Sequence, residues 1–522
     1  MRSVPMRGIS LVALAAVLAG GGSAVAATPI YGGGDPVLGA AIDALGQCLG
    51  VQNAANPDLT VATAGGCAAP ASPAYDYLFT ATSAIDGVMS LTTQTPSSSP
   101  PATGTTAVDS DFPAYPYPSW QLSVSNTPLD SPAGPGSTAY LIKAYNTSVA
   151  SQRGRAWQIP IAAQAVAFPY NLPTTSFSAA GNSYSGVGFG TTFYGPAQPT
   201  VTVSGGAGGS VSVTKLDLSP DMLCYIWTQR RANGSAVTGS YAWDNPIFYG
   251  VSYRRRGNVI QTSYDSNLIR SSVAGLPILP VIVPNSGLTY VFSAWLKQNC
   301  HGYSFAGYTP ASVQVTFPSF ITADGLSASS SAASATLVAA NPGAIGFAAP
   351  NDVAPAAVNG LPAALLLAGR VKTVNPTSNF LYPTAAAINL AVQKMSFPAN
   401  FAATSWGAAL DRRLFKAELS NLGYPVAGFS LLLGYTCYVN DSDNNELAGI
   451  ENLIQFLTDP RAAAIIAADG LVPLPAAAYS GEAALALAKL TGVSATPVIS
   501  GGSQVNGPAA CPNFDTAPVD YR

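Results

Sequence analysis

Residues 278–298, ILPVIVPNSGLTYVFSAWLKQ, combine a short apolar strand, a tight turn and the start of a helix. The apolar run from Ile278 to Val283 predicts the strand, and Asn285 or Ser286 can cap the amphipathic helix that follows. Gly287 allows close approach of another backbone or a ligand. Because the first amides of a helix have no carbonyl partner within it, this turn is a suitable site for an anion. A Ser-Gly pair is also typical of any well-capped helix, so the rest of the chain must decide.

The composition excludes several classes of function. The 522 residues suffice for two to four domains at roughly 100–200 residues each. Only 9% of them are charged, against about 25% in average proteins, so hydroxyls and amides must cover much of the surface. The formal net charge is −3, and a chain without a basic excess has no field to hold nucleic acid.

The first 26 residues are predicted to be a secretory signal peptide. Arg2 and Arg7 precede an apolar run from Ile9 to Leu18, and residues 24–26, AVA, form a small-residue cleavage site. The apolar run is too short to span a membrane. We expect cleavage after Ala26, which removes two positive charges and takes the net charge from −3 to −5. The mature protein is then expected in the periplasm or outside the cell, without membrane insertion.

Export gives the six cysteines a meaning, because disulfides persist in an oxidising compartment. Pairing between sequence neighbours would place one disulfide in each of three regions. The expected pairs are Cys48 with Cys67, Cys224 with Cys300, and Cys437 with Cys511. A metal site is the alternative, but no two cysteines have Cys-x-x-Cys spacing and the chain has one histidine. No cofactor and no metal are expected.

A second strand, glycine loop and helix start lies near the beginning of the mature chain. In residues 29–36, PIYGGGDP, Asp35 is the predicted N-cap and Pro36 the first helical residue, and Gly50 ends the helix. The Asp35 carboxylate would satisfy the amides of its own helix and repel an arriving anion. Helices and strands alternate through the rest of the chain, which indicates an α/β protein.

Enzymatic chemistry is not predicted. His301, the one histidine, precedes a serine segment that lacks the second glycine of a nucleophile elbow. Residues 441–446, DSDNNE, are similar to a calcium loop but have Glu446 where the turn glycine belongs. A loop histidine and a solvated acidic loop are the simpler interpretations.

Seven short segments, in this order, resemble the PstS-like periplasmic phosphate-binding proteins of bacterial ABC transporters and their secreted relatives, the DING proteins. The segments are 32–34 (GGG), 125–129 (SNTPL), 168–173 (FPYNLP), 243–246 (WDNP), 286–292 (SGLTYVF), 343–347 (GAIGF) and 472–475 (VPLP). The resemblance implies a type II periplasmic-binding-protein fold, with mixed sheets flanked by helices and the ligand cleft between two lobes. It implies a first lobe from 27–165 plus 346–522 and a second from 166–345. A Gly/Ser-rich hairpin insertion is expected at about 177–213.

The family holds phosphate with helix-start amides, hydroxyls, an Asp that accepts the anion's hydrogen, and an Arg. Carried over position by position, the resemblance implies ligand contacts at Gly33, Gly34, Thr82, Asn126, Ser286, Gly287 and Thr289. The chain departs from the pattern at several positions. This chain has Asn126 where the family has the Asp, and Leu288 where the family has a Thr. The position of the family's Arg falls near Ile282, and that of its first-loop Thr falls on Gly34-Asp35-Pro36. Arg153, Arg155 or one of Arg254–Arg256 could supply the missing charge.

Two functions therefore stay open. The first is an exported solute-binding protein that captures phosphate or a related oxyanion and serves an ABC permease or retains the ion outside the cell. The second is a secreted structural or adhesive protein whose scaffold no longer binds phosphate. Each charge-assisted hydrogen bond is worth ~1.5–3 kcal/mol, so losing the Arg and one hydroxyl is expected to weaken binding by at least about two decades. Capture depends on whether Asp35 and Leu288 leave the cleft open.

Overall fold

The computed structural model describes much of the chain that follows the predicted signal peptide. The described residues are 27–52, 54, 58–68, 74–81, 84, 87, 91, 120–126, 153–154, 156–189, 216–249, 251–253, 262–264, 268–284, 286–300, 321, 325–353, 363–367, 380–392, 423–441, 445–475, 480, 483–484, 486–488, 490–493, 495–500, 503–508 and 511. Among these residues no helix is long and apolar enough to cross a membrane.

Strands and helices alternate along the described chain, as the sequence predicts. The strands are β1 (Thr28–Gly34), β2 (Tyr75–Ala81), β3 (Leu122–Ser125), β4 (Ala156–Ala165), β5 (Phe177–Ala179), β6 (Asn182–Tyr184), β7 (Asp217–Leu218), β8 (Val251–Tyr253), β9 (Thr262–Tyr264), β10 (Leu279–Ile282), β11 (Leu326–Ser327), β12 (Ala344–Gly346), β13 (Leu365–Leu367), β14 (Phe380–Leu381), β15 (Ala427–Tyr435), β16 (Cys437–Val439), β17 (Val472–Pro473), β18 (Thr491–Val493), β19 (Ala495–Ser500) and β20 (Ser503–Pro508). The helices are α1 (Pro36–Leu49), α2 (Asp58–Ala64), α3 (Pro220–Thr228), α4 (Gly287–Asn299), α5 (Ser331–Ala340), α6 (Pro350–Val353), α7 (Ala385–Val392), α8 (Glu446–Phe456) and α9 (Pro460–Ala468). Short 3₁₀ turns lie at Pro246–Phe248 and Arg270–Val273.

Strands from both ends of the chain form one six-stranded sheet in the order β17-β4-β15-β3-β1-β2. Strand β1 is parallel to both β2 and β3, whereas β15 is antiparallel to β3 and β4. Because parallel strands end at the same edge, the residues after β1, β2 and β3 lie side by side. Asp35 and Asn126 are two of these residues.

The middle of the chain forms a second, fully parallel sheet in the order β11-β10-β12. Helix α4 follows β10 after a short turn, so the predicted strand, turn and helix of residues 278–298 are present. The ring of Phe292 in α4 lies 4.9 Å from Phe168, 5.2 Å from Trp227 and 5.4 Å from Phe347, measured between centroids. This buried aromatic cluster packs α4 against the rest of the core.

The remaining described strands form small sheets. Strands β14-β13-β7 form one of three strands, and β16-β18, β19-β20, β5-β6 and β8-β9 form pairs. The β5–β6 pair is a hairpin inside the expected insertion, and residues 190–213 of that insertion lie outside the described part of the chain.

The three predicted disulfides are confirmed. The Cα atoms are 5.3 Å apart in Cys48–Cys67, 5.5 Å apart in Cys224–Cys300 and 6.0 Å apart in Cys437–Cys511, all within the usual range for a disulfide. The first joins α1 to the turn after α2, and the second joins α3 to the end of α4.

Candidate functional site

Helix α4 begins with the cap that the sequence predicts. The Ser286 hydroxyl accepts a hydrogen bond from the Leu288 amide at 3.2 Å, and the Ser286 carbonyl accepts one from Tyr290 at 3.2 Å. Helix geometry leaves the amides of Gly287 and Thr289 without a carbonyl partner inside the helix. The start of α4 therefore carries partial positive charge and suits an acceptor group.

The ends of β1 and β3 meet this helix start at Gly287. A methyl carbon added to Gly287 would lie 1.9 Å from Asn126 Oδ1 and 2.2 Å from Asp35 Oδ2. Both oxygens lie close to the same point, which puts them no more than about 4 Å apart. Only glycine fits at this position, because any side chain would overlap these two acceptors.

Asp35 is fully buried and uses one carboxylate oxygen as a cap. Oδ1 accepts the Val37 amide at 3.0 Å, and the Asp35 amide donates to Val124 O at 3.1 Å. Among the described residues, Oδ2 has no hydrogen-bond partner. Burial raises the pKa of Asp35 to about 6, and the Val37 hydrogen bond opposes this shift. The site therefore contains a carboxyl group that titrates between mildly acidic and neutral pH.

The orientation of the Asn126 amide is fixed by its donor side. Its Nδ2 donates to the Phe429 carbonyl at 3.0 Å and to Ser430 Oγ at 2.9 Å. A carbonyl oxygen can only accept, so the nitrogen must face β15 and Oδ1 must face Gly287. That oxygen is buried and receives no hydrogen bond from the residues that the structure describes. Two unpartnered acceptors, from Asp35 and Asn126, thus face one helix start.

The other predicted ligand residues have different surroundings. Gly33 faces the Trp120 ring, since an added methyl would lie 2.0 Å from it. Gly34 has a positive φ, and its added methyl would lie 2.1 Å from Val124 O, so glycine is required for the turn. The Thr289 hydroxyl donates to the Val283 carbonyl, which leaves its backbone amide for the site. Thr82 lies outside the described residues.

Positive side-chain charge is scarce around this site. Arg153 pairs with Glu446 at 2.9 Å in a buried ion pair, so this guanidinium is committed elsewhere. Arg155 and Arg254–Arg256 lie outside the described residues. Within the described ranges, ion pairs are limited to Arg153–Glu446 and Arg461–Asp459, and neither includes Asp35. Leu288 is fully buried in the core.

The sequence pattern presents Asp35 as a helix cap that repels anions, and it contains no signal that points to Ser430. The structure adds both to the site, Asp35 through Oδ2 and Ser430 through its contact with Asn126. The N-cap pattern at Asp35 is visible in the sequence. Its contact with Gly287 is not, because it depends on how two distant segments pack.

Comparisons with known proteins identify the fold. Searches with the sequence found neither a matching protein-family model nor a matching curated protein. The structure of an ancestral soluble variant of the Human Phosphate Binding Protein matches with a TM-score of 0.51 and 18% identity, over 88% of this chain and 93% of that chain. PfluDING, a high affinity periplasmic phosphate-binding protein, matches with a TM-score of 0.49 and 17% identity, over 87% of this chain and 93% of that chain. A phosphate-binding protein from Stenotrophomonas maltophilia matches with a TM-score of 0.45 and 14% identity, over 88% of this chain and 94% of that chain.

The chain has the two-lobe, mixed α/β fold of type II periplasmic binding proteins, as predicted. Its likeness covers most of both chains and includes PstS-like and DING proteins, as the collinear segments indicate. All three of these neighbours are described as phosphate-binding proteins. At such low identity the likeness concerns the fold, and the chemistry must be argued from the residues of this chain.

Proposed function

We propose that this protein captures a protonated oxyanion of the phosphate type between its two lobes, where α4 begins beside the ends of β1 and β3. The observation that carries this is the pair of buried acceptors, Asp35 Oδ2 and Asn126 Oδ1, without donors at a helix start. The helix amides need an acceptor, and the two oxygens need donors. Dihydrogen phosphate supplies both, since it has bare oxygens and hydroxyl groups.

The same acceptors select among oxyanions. Sulfate carries no hydrogen at ordinary pH, so its oxygens would face Asp35 and Asn126 as acceptor against acceptor. An unsatisfied buried acceptor costs about 1–3 kcal/mol, which is about one to two decades of affinity. Arsenate protonates as phosphate does. We therefore expect phosphate and arsenate to bind alike, and sulfate at least about tenfold more weakly.

Acid favours this binding. With the pKa of Asp35 raised to about 6, its carboxylate is largely ionised at neutral pH and largely neutral near pH 5. An ionised carboxylate about 4 Å from an anion repels it by ~4 kcal/mol at an effective dielectric constant of 20. A neutral carboxyl can instead donate to the ligand. The affinity for phosphate should therefore be more than about tenfold higher at pH 5 than at pH 7.5.

Calorimetric titration of the purified protein with phosphate, arsenate and sulfate, at about pH 5 and pH 7.5, tests the proposal. Ser286→Ala should weaken phosphate binding by about tenfold, because it removes the hydroxyl that caps α4. Ser330→Ala is the matched control. Ser330 caps α5 through the Ala333 amide at 3.1 Å, so its loss should leave the affinity unchanged. Equal affinity for sulfate and phosphate would contradict the selection argument.

The contact between Asp35 and Gly287 favours a second candidate, a secreted structural or adhesive scaffold. In that interpretation the Asp35 carboxyl permanently occupies the space of the anion. It predicts no heat with any of the three anions at either pH, even at millimolar ligand. It also predicts self-association or surface binding, which light scattering and an adhesion assay would detect.

The proposal extends to location and partners. It places the protein in the periplasm or outside the cell after removal of residues 1–26, with lobe I from 27–165 plus 346–522 and lobe II from 166–345. An ABC permease is the partner that a periplasmic capture protein would serve. Genes for a permease and an ATPase beside this one would support uptake, and genes for a secretion system would support an extracellular role.

A further inference from the structure

Gln164 is a buried side chain that is not among the proposed oxyanion contacts described above. It lies in β4 with 2% of its surface exposed, and neither Nε2 nor Oε1 has a hydrogen-bond partner in the part of the chain that the structure describes. Gln121 is equally buried, but its Oε1 accepts the Tyr31 amide at 2.7 Å and its Nε2 donates to Glu446 at 2.9 Å. Of the two buried glutamines, Gln121 therefore has protein partners for both polar atoms of its amide, whereas Gln164 has none among the described residues.

The strand register places Gln164 on the face of the sheet that looks toward α4. Gln164 lies opposite Gly428 of the antiparallel strand β15, and a methyl added to Gly428 would lie 2.5 Å from Val291 of α4. Opposite residues of an antiparallel pair point to the same face. Gln164 therefore projects toward the first turns of α4, the helix whose start holds Asp35 and Asn126.

The same face continues to the oxyanion site. Ser430 is two residues beyond Gly428 in β15 and accepts a hydrogen bond from Asn126 Nδ2. Gln164 and Ser430 are diagonal neighbours, about 7–8 Å apart and within reach of a long side chain. Gln164 thus belongs to the same face of the sheet as the Ser430 hydroxyl that orients Asn126.

We propose that Gln164 is a third side chain that contacts the bound oxyanion, with Nε2 donating to an anion oxygen. The inference rests on the proposed capture function and deepens it. A buried amide without partners destabilises the folded protein, whereas a bound ligand would satisfy it. A neutral donor also suits a site that already contains a carboxyl group, because it adds no buried charge of its own.

Gln164→Leu separates a ligand contact from a structural role. Leucine has a similar volume and no polar atoms, so the variant should unfold at the same or a higher denaturant midpoint. Its phosphate affinity near pH 5 should nevertheless fall at least tenfold. Gln121→Leu is the contrasting variant, because it breaks two hydrogen bonds and should lower the midpoint. Gln164→Glu should lose phosphate binding at pH 7.5 and recover part of it near pH 5.

Each outcome of these measurements either supports or overturns the contact between Gln164 and the anion. A stable Gln164→Leu variant with unchanged phosphate affinity would overturn the role of Gln164 and leave the capture function intact. A destabilised variant would show that the amide has a structural partner, which also overturns it. If the unaltered protein binds neither phosphate nor arsenate, the capture function fails, and the Gln164 contact fails with it.

Discussion

The two oxygens of Asp35 have opposite effects on stability. Oδ1 caps α1, which stabilises the folded state, whereas Oδ2 is buried without a donor. Burial raises the pKa from its ordinary 3.8 to about 6, so the folded protein holds this proton more tightly than the unfolded chain. The resulting stability is fully present below about pH 4 and is lost as pH rises through 6. The shift of about two pKa units corresponds to ~3 kcal/mol.

Asp35→Asn should remove this pH dependence while keeping a cap, since asparagine also caps helices well. Between about pH 4 and pH 7 the unfolding free energy of the unaltered protein should fall relative to that of the variant, by ~3 kcal/mol at most. Urea unfolding of both proteins at several pH values measures this difference in unfolding free energy. Asp459→Asn is the control, because Arg461 lowers the pKa of that exposed cap and reverses the sign. Parallel curves for Asp35→Asn and the unaltered protein would contradict the prediction.

Local chemistry makes some residues predictable from the sequence and others not. The caps at Asp35 and Ser286 follow from residue type and position, and both are found. The resemblance indicates Asn126 as a site residue, and its unpartnered oxygen agrees with that role without testing it. The proximity of Asp35 to Gly287 and the unsatisfied Gln164 amide depend on tertiary packing, so no local pattern reveals them.

At the scale of elements, the decisive contact is between the start of α4 and the ends of β1 and β3. Alternating apolar and turn residues predict β10 and α4 individually. They do not predict that β15 inserts between β3 and β4, because strand order depends on pairing between distant segments. That insertion positions Phe429 and Ser430 beside Asn126 and so orients its amide.

Gly287→Ala tests this contact. In an exposed helix the change would stabilise by roughly 0.5–1 kcal/mol. Here the added methyl would overlap Asn126 Oδ1 and Asp35 Oδ2 at 1.9 and 2.2 Å, so α4 must move away. Relative to the unaltered protein in saturating phosphate, we expect a loss of about 1–3 kcal/mol or more in unfolding free energy, because the overpacked site no longer closes and phosphate binding is lost. A gain in stability, measured by urea unfolding, would mean that the lobes do not meet at Gly287.

At the scale of the molecule, none of the three disulfides joins the two proposed lobes, although β13 of proposed lobe I pairs with β7 of proposed lobe II. Cys48–Cys67 and Cys437–Cys511 lie within lobe I, and Cys224–Cys300 lies within lobe II. The two segments at which the chain is proposed to cross between the lobes pair with each other, since Ala167 and Ala348 exchange hydrogen bonds of 2.9 Å in both directions. Such a pair of adjacent crossing segments is a suitable hinge.

Lobe closure should therefore depend on the ligand. Closing brings Asp35 and Asn126 against α4 and leaves the Asn126 oxygen, which can only accept, unsatisfied, and this costs about 1–3 kcal/mol unless a hydrogen-bearing ligand supplies a donor. Small-angle X-ray scattering near pH 5 should show a smaller radius of gyration with saturating phosphate than without it, and no decrease with sulfate. The Gly287→Ala variant should keep the larger radius in both conditions. A radius that is already minimal without phosphate, and stays so, would instead indicate that Asp35 holds the lobes closed permanently, as the scaffold alternative requires.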